Sequence, residues 1–289
     1  MVLHRGTLCN ILIFISLSLI AACGKSPSDA APAVYEVAYL PSTGMNAPAQ
    51  GKTTFQLKIT KKSDGSPATG LSPSLTLTMH MTNGHTHATP VDSITESGTA
   101  GLYDCTVYYL MASGPGMGTW ELNTMVDGET TTFYPSVAMA MGSDNVNATL
   151  YGADDIVTGM SGTSYNKYYI FRDGIVSSSM GTLNLYVSHS ENMMMDFSAV
   201  SGGSVLSAPT GMINSMIVSA STDSTFVSGV ATGIDDAHGH WTLPGLTGLV
   251  SAQTTTVYVK LNVNGQDKTT NGAAASGTNS YATFFVTPQ

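Results

Sequence analysis

Nine consecutive residues, Met79-His80-Met81-Thr82-Asn83-Gly84-His85-Thr86-His87, carry two thioethers and three imidazoles. Thioether sulfur is soft and imidazole nitrogen borderline, a pairing that suits copper, as Cu(I) through both or as Cu(II) through imidazoles alone. The element that positions them is a strand. Ser74 to Met81 alternates, so Leu75, Leu77, Met79 and Met81 share an apolar face and His80 lies opposite with the threonines. A single strand cannot wrap Met79, His80 and Met81 around one ion, because neighbouring side chains point to opposite faces. A site therefore has to form where the strand ends, with Met79 or Met81 below and His85 and His87 folded back from the Asn83-Gly84 turn. Met111 and Met117, flanking Gly114-Pro115-Gly116, are expected at the same end. The candidate copper ligands are thus Met79, Met81, His85, His87, Met111 and Met117. Two competing readings are core methionines beneath a solvated loop, since Met commonly fills gaps in cores, and zinc on the imidazoles.

Other stretches could also do chemistry. Met193-Met194-Met195 follows His189, and three consecutive methionines cannot all face inward, so a second soft-metal patch is conceivable there. Asp235, Asp236, His238 and His240 could hold a harder ion or simply form a polar hairpin loop. Cys105 shares an inward face with Tyr103, Val107 and Tyr109, which reads as a buried inert thiol, with a metal ligand as the alternative.

The supporting framework is β-rich. Thr54 to Thr60, Ser74 to Met81, Tyr103 to Leu110, Thr119 to Val126 and Thr131 to Met139 read as strands, and no stretch combines helical periodicity with caps. The second half follows a similar script: Lys167 to Phe171, then Gly181 to His189 in the place of the Leu75 to Met81 strand, then Val257 to Gly265 parallel to Trp120 to Gly128. Asp127-Gly128 and Asn264-Gly265 are strong hairpin turns. The expected fold is all-β, two tandem immunoglobulin-like β-sandwich domains at 34–147 and 166–289, joined by a linker at 148–165 rich in Gly, Ser and Asp.

Composition narrows the function. Only 10% of residues are charged and the net charge is −9, so phosphate-backbone attraction is absent and nucleic acid is excluded as a partner. No nucleophile elbow, phosphate loop, dinucleotide fingerprint or zinc-protease motif occurs, so the chain does not read as an enzyme. The N-terminus reads as an export signal, with Arg5 followed by an apolar run from Leu8 to Ile20 that is too short for a permanent span. Ile20-Ala21-Ala22-Cys23 resembles a bacterial lipobox. That resemblance implies a signal peptide at 1–22, a lipidated Cys23, a tether at 23–33 and membrane attachment through the lipid. Gly24 after the cysteine implies the outer membrane, on its periplasmic or surface-exposed face. With Cys9 in the signal and Cys23 lipidated, Cys105 is left alone and the mature chain forms no internal disulfide.

The first half also resembles the periplasmic YtkA-like and FixH-like β-sandwich family. The resemblance rests on Asp64-Gly65-Ser66-Pro67, Leu75 to Met81 followed by Gly84-His85, Gly101-Leu102-Tyr103 and Met117-Gly118-Thr119-Trp120-Glu121-Leu122, within Thr53 to Val137. It implies copper buffering, delivery or respiratory-oxidase assembly, with a protein partner in the envelope. The chain departs from the family in having a lipobox where FixH-type proteins carry a transmembrane helix. Its second half keeps Gly239-His240-Trp241 but has no His-x-His loop after the Gly181 to His189 strand. The alternative reading is a non-catalytic immunoglobulin-like surface or structural module that binds no metal.

Overall fold

The computed structural model describes residues 33–289 apart from 45–46, 141–144, 160–161, 175 and 278–279. Cys23, the signal at 1–22 and the tether up to residue 32 lie outside the described residues. The first sandwich is built from β1 (Tyr35–Pro41), β2 (Gly51–Lys61), β3 (Ser74–Met81), β4 (Thr86–Ala88), β5 (Val91–Glu96), β6 (Leu102–Tyr109), β7 (Gly118–Val126) and β8 (Glu129–Phe133). One sheet has the order β1-β2-β6-β5 and the other β4-β3-β7-β8. Lettering the strands A to G in chain order, with β4 as an added C′, gives A-B-E-D facing C′-C-F-G, the immunoglobulin arrangement.

Alternation drives each strand into place. Along β2, Phe55, Leu57 and Ile59 point inward while their neighbours meet solvent. On β7, Trp120, Leu122 and Val126 do the same, and together with Leu77, Met79, Tyr103, Cys105, Val107 and Tyr109 they form the first core. The β7–β8 connection is a two-residue turn, with Val126 opposite Glu129 and positive φ at Asp127 (47°) and Gly128 (84°). Both central residues are left-handed, as a type I′ hairpin requires. The expected strand from Thr131 to Met139 stops at Phe133; Pro135 follows, which cannot donate to a ladder.

The second sandwich uses β9 (Asn147–Leu150), β10 (Ile156–Gly159), β11 (Gly162–Tyr165), β12 (Tyr168–Arg172), β13 (Leu183–Glu191), β14 (Asp196–Ala199) and β15 (Met216–Ser221). It is completed by β16 (Ala231–Thr232), β17 (Ile234–Asp235), β18 (His240–Leu243), β19 (Thr255–Val263), β20 (Gln266–Lys268) and β21 (Ala282–Val286). One sheet runs β17-β18-β13-β12-β9, with β14 also on β13; the other runs β16-β15-β19-β20, with β21 also on β19. The stretch read as a linker, 148–165, holds most of β9, which pairs with β12, and the β10–β11 hairpin. The likeness between the two halves does not extend to their pairing: β12 is bonded directly to β13, whereas β2 and β3 lie in different sheets.

Val34–Gln289 forms one compact unit. Between the two cores lies a third apolar cluster of Tyr108, Tyr169, Phe171 and Tyr186, flanked by Leu110, Met194 and Phe197. Tyr108 belongs to the outer face of the first sandwich, and the other three aromatic residues of the cluster to the outer face of the second. Strand β12 is therefore buried on both sides, which explains its unbroken run Tyr168-Tyr169-Ile170-Phe171. No helix among the described residues is long and apolar enough to cross a membrane.

Candidate metal centre

The end of β3 is closed by two loops that lock onto each other. The Met81 amide donates to the His85 carbonyl at 2.9 Å, and the Asn83 side chain accepts the His85 amide at 3.0 Å, forming a tight turn. The Met111 to Met117 loop folds against it: the Thr82 amide donates to the Met117 carbonyl (3.2 Å) and the Thr82 hydroxyl to the Gly116 carbonyl (3.1 Å). Gly118 permits this approach. Its φ is 144°, and any side chain there would strike the His80 backbone carbonyl. The sequence expectation that both loops share one end of the sandwich is thus met in the geometry.

Strand β4 then sorts the histidines. Its register puts His87 opposite Met79 and Thr86 opposite His80. Directly opposed residues share a face, so His87 turns inward with Met79 while His80 faces out, half-exposed, 3.3 Å from Glu121. His85, in the turn, is exposed. The x-His-x-His pair is therefore divided, with one imidazole buried and the other in solvent.

His87 is 7% exposed and sits edge-on to Trp120, with ring centroids 5.4 Å apart at 85°. Burial lowers its affinity for a proton, so the ring is neutral near pH 7. Its Nδ1 lies 2.8 Å from the Ala88 carbonyl oxygen, which can only accept, so Nδ1 carries the hydrogen. Nε2 is then a bare lone pair, and it faces the Met111 sulfur at 3.3 Å. Met111 is itself fixed, because the Trp120 indole donates to its carbonyl at 3.0 Å. The contact sets two electron donors against each other inside the protein, without a hydrogen between them.

The remaining candidates are placed differently. Met79 is fully buried in the first core, and Met81 and Met117 pack partly buried against it. Cys105 is a free buried thiol whose pKa burial pushes up to about 12, so near pH 7 the unliganded group is a thiol and not a thiolate. The Met193 to Met195 segment is a strained turn, with φ of 45°, 53° and 67° at Asn192, Met193 and Met194. It fans its sulfurs apart. Met193 is 77% exposed, Met194 accepts the Tyr169 hydroxyl at 3.4 Å, and Met195 receives the Thr86 hydroxyl at 3.8 Å, beside His87 on β4.

The acidic histidine loop does not converge either. Asp235 accepts from the Ser201 hydroxyl and the Gly202 amide, and Asp236 accepts the backbone amides of His238 and His240. The His240 ring reaches away to Asp173 (2.9 Å) and Asp92 (3.0 Å), joining the two sandwiches. Among the described residues, no group of three or more His, Cys, Asp or Glu side chains is set to hold a metal. Sequence reasoning missed the Asp92–His240–Asp173 link and the buried pair Asp155–Lys268, whose members are far apart in the chain. The doubly apolar β12 run was the one local sign that the halves pack on each other.

No protein-family model matches the chain, and no curated protein does. Among solved structures, a chimeric titin Z1Z2-Z1Z2 tandem functionalized with a GRGDS peptide from fibronectin matches over 83% of this chain and 93% of its own. It does so at 14% identity and a TM-score of 0.18. A superposition that loose adds nothing to the fold already given by strand order.

Proposed function

We propose that the chain is a non-catalytic, lipid-anchored envelope protein that binds Cu(I) between His87 and Met111, to buffer the ion or pass it to a protein partner. The observation that carries this reading is the bare His87 Nε2 set 3.3 Å from the Met111 sulfur, with the other ring nitrogen engaged by Ala88. With the zinc bond lengths of about 2.0 and 2.3 Å, an angle of about 90–110° at the ion sets a nitrogen and a sulfur donor about 3–3.5 Å apart. The separation fits, and a thioether with an imidazole is a soft set that favours Cu(I) over harder ions. Trp120 holds both donors in place, packing edge-on against His87 and donating its indole N–H to the Met111 carbonyl. Because the imidazole is held neutral by burial, protons compete weakly for the same lone pair. The lipobox resemblance at Cys23 and the YtkA-like and FixH-like resemblance support an envelope location and a copper role respectively.

Titrating the purified protein with Cu(I) against a competing chelator tests this directly. His87→Ala and Met111→Leu are each expected to weaken binding at least tenfold, while His85→Ala leaves it unchanged. Equal affinity in wild type and the His87→Ala, Met111→Leu double variant would remove the assignment.

A second reading, an immunoglobulin-like structural module, draws on the burial of Met79 and the packing of Met81 and Met117 on the core, where they serve as filler. It expects a melting temperature indifferent to added copper, whereas a ligand that binds only the folded state raises it.

A further inference from the structure

At the edge of the second core, Asp155 and Lys268 form an ion pair sealed from water. Nζ lies 3.0 Å from Oδ2, and the side chains are 0% and 1% exposed. Asp155 ends a 3₁₀ turn (Ala153–Asp155) after β9, and Lys268 ends β20. Reciprocal backbone hydrogen bonds of 2.9 Å between Tyr151 and Thr269 hold the two segments side by side. Two opposite charges in a dry core each carry a desolvation cost that their attraction repays only with excellent geometry.

The surroundings of this pair are specific. The Gly152 amide donates to Asp155 Oδ2 at 2.7 Å, and the Thr210 hydroxyl donates to Oδ1 at 3.2 Å. Lys268 Nζ donates to Gln266 Oε1 at 2.8 Å and sits 5.5 Å from the centre of the Tyr168 ring. Behind Thr210, His189 Nε2 is 3.5 Å from the hydroxyl oxygen. The hydroxyl has one hydrogen and gives it to Asp155, so Nε2 must bear its own and donate to Thr210. His189 is fully buried, burial lowers its proton affinity, and its Nδ1, 3.7 Å from Glu191, makes no hydrogen bond. A chain of donors thus runs from His189 through Thr210 to one oxygen of Asp155, while the amine faces the other oxygen.

We infer that Asp155 and Lys268 condense into an intramolecular isopeptide bond, Lys268 Nζ to Asp155 Cγ, with release of one water. Nζ passes one proton to Oδ2 across the 3.0 Å contact, which leaves an amine and a carboxylic acid. The amine lone pair then adds to Cγ, and negative charge develops on Oδ1, where the Thr210 and His189 donors stabilise it. The second Nζ proton goes to Oδ2, the Cγ–Oδ2 bond breaks and water departs. Oδ1 becomes the amide carbonyl, still held by Thr210, and the one hydrogen left on Nζ stays directed at Gln266. No oxidant or cofactor is needed, and the reaction replaces two buried charges with one hydrogen-bonded amide. Holding both groups in contact supplies the proximity that an unassisted condensation lacks.

Peptide mapping by mass spectrometry of the full chain, digested after purification, decides the matter. The expected product is a branched peptide joining the Asp155 and Lys268 segments, lighter than their sum by one water, with trypsin no longer cutting after Lys268. In Lys268→Arg the two segments are expected as separate linear peptides. In Thr210→Val the branched peptide is expected to accumulate more slowly after refolding. Linear peptides with free Asp155 and Lys268 side chains in folded wild-type protein would overturn the inference, whatever the variants do. Cross-linking at the wild-type rate in Thr210→Val would overturn the role given to the donor chain.

Discussion

Both ring nitrogens of His240 face carboxylate oxygens, Asp173 at 2.9 Å and Asp92 at 3.0 Å. Carboxylates only accept, so both nitrogens donate and the ring is an imidazolium. The hydrogen bonds to Asp173 and then Asp92 raise its pKa from 6.5 to about 10. At about 1.4 kcal/mol for each factor of ten in proton affinity, that rise corresponds to about 5 kcal/mol. The side chain is 27% exposed, and screening by water reduces the expected contribution to about 2–3 kcal/mol. In the unfolded chain the ring loses its proton near 6.5, and in the folded chain near 10. The stabilisation is therefore fully present below pH 6.5 and is lost as pH rises towards and through 10. His240→Gln is expected to cost about 2–3 kcal/mol at pH 6, or about 4–12 °C in melting temperature for a chain of this size. The assay is paired urea denaturation of wild type and variant at intervals from pH 6 to 10.5. The gap between them should shrink steadily across that window. A gap that stays constant with pH, or none at pH 6, would refute the imidazolium clamp.

Other outcomes follow from the same geometry. His87 and His189 are buried neutral, so they act in the opposite sense to His240: their contribution is present above pH 6.5 and is lost as pH falls below it, and acid unfolding of His87→Leu should begin at lower pH than in wild type. Tyr108 stacks on Tyr186 with centroids 4.2 Å apart and rings at 3°, and truncating either to Ala should cost about 3–5 kcal/mol by denaturant midpoint. Gly118→Ala drives a methyl into the His80 carbonyl, and is expected to destabilise by about 1–3 kcal/mol and to weaken Cu(I) binding by shifting the Met117 loop off Thr82. Unchanged Cu(I) affinity in that variant would separate the loop contact from the site.

Period-two alternation is enough to assign β2, β3, β6 and β7 and to put His80 across the sheet from Met79, because these strands have one dry face and, apart from the buried Tyr108 on β6, one wetter face. The order of strands in a sandwich, not alternation, puts the Met111 to Met117 loop at the same end as the β3 turn, where the two are hydrogen-bonded. What alternation cannot do is separate His85 from His87. That choice depends on β4, three residues long, whose register against β3 turns one imidazole inward. The second half was harder to read for a related reason. Strands β12 and β13 are buried on both faces, so the alternation that carries topology is erased, and direct pairing of β12 with β13 left no trace in spacing. Ion pairs such as Asp92–His240 and Asp155–Lys268 join residues more than a hundred positions apart, and charge at one position says nothing about its partner.

The clamp around His240 also bears on how such a chain can change over generations. Lys52 and Asp92 come from one sandwich, Asp173 and His240 from the other, and Tyr108 donates its hydroxyl across the boundary to Asp173. Cutting the chain between β8 and β9 would leave Tyr169, Phe171 and Tyr186 facing water on one fragment, and would strip Asp92 and His240 of each other. Neither half is a portable cassette. Duplication, swapping or excision of one half would have to rebuild this seam each time, so the two halves are expected to be inherited as one indivisible block.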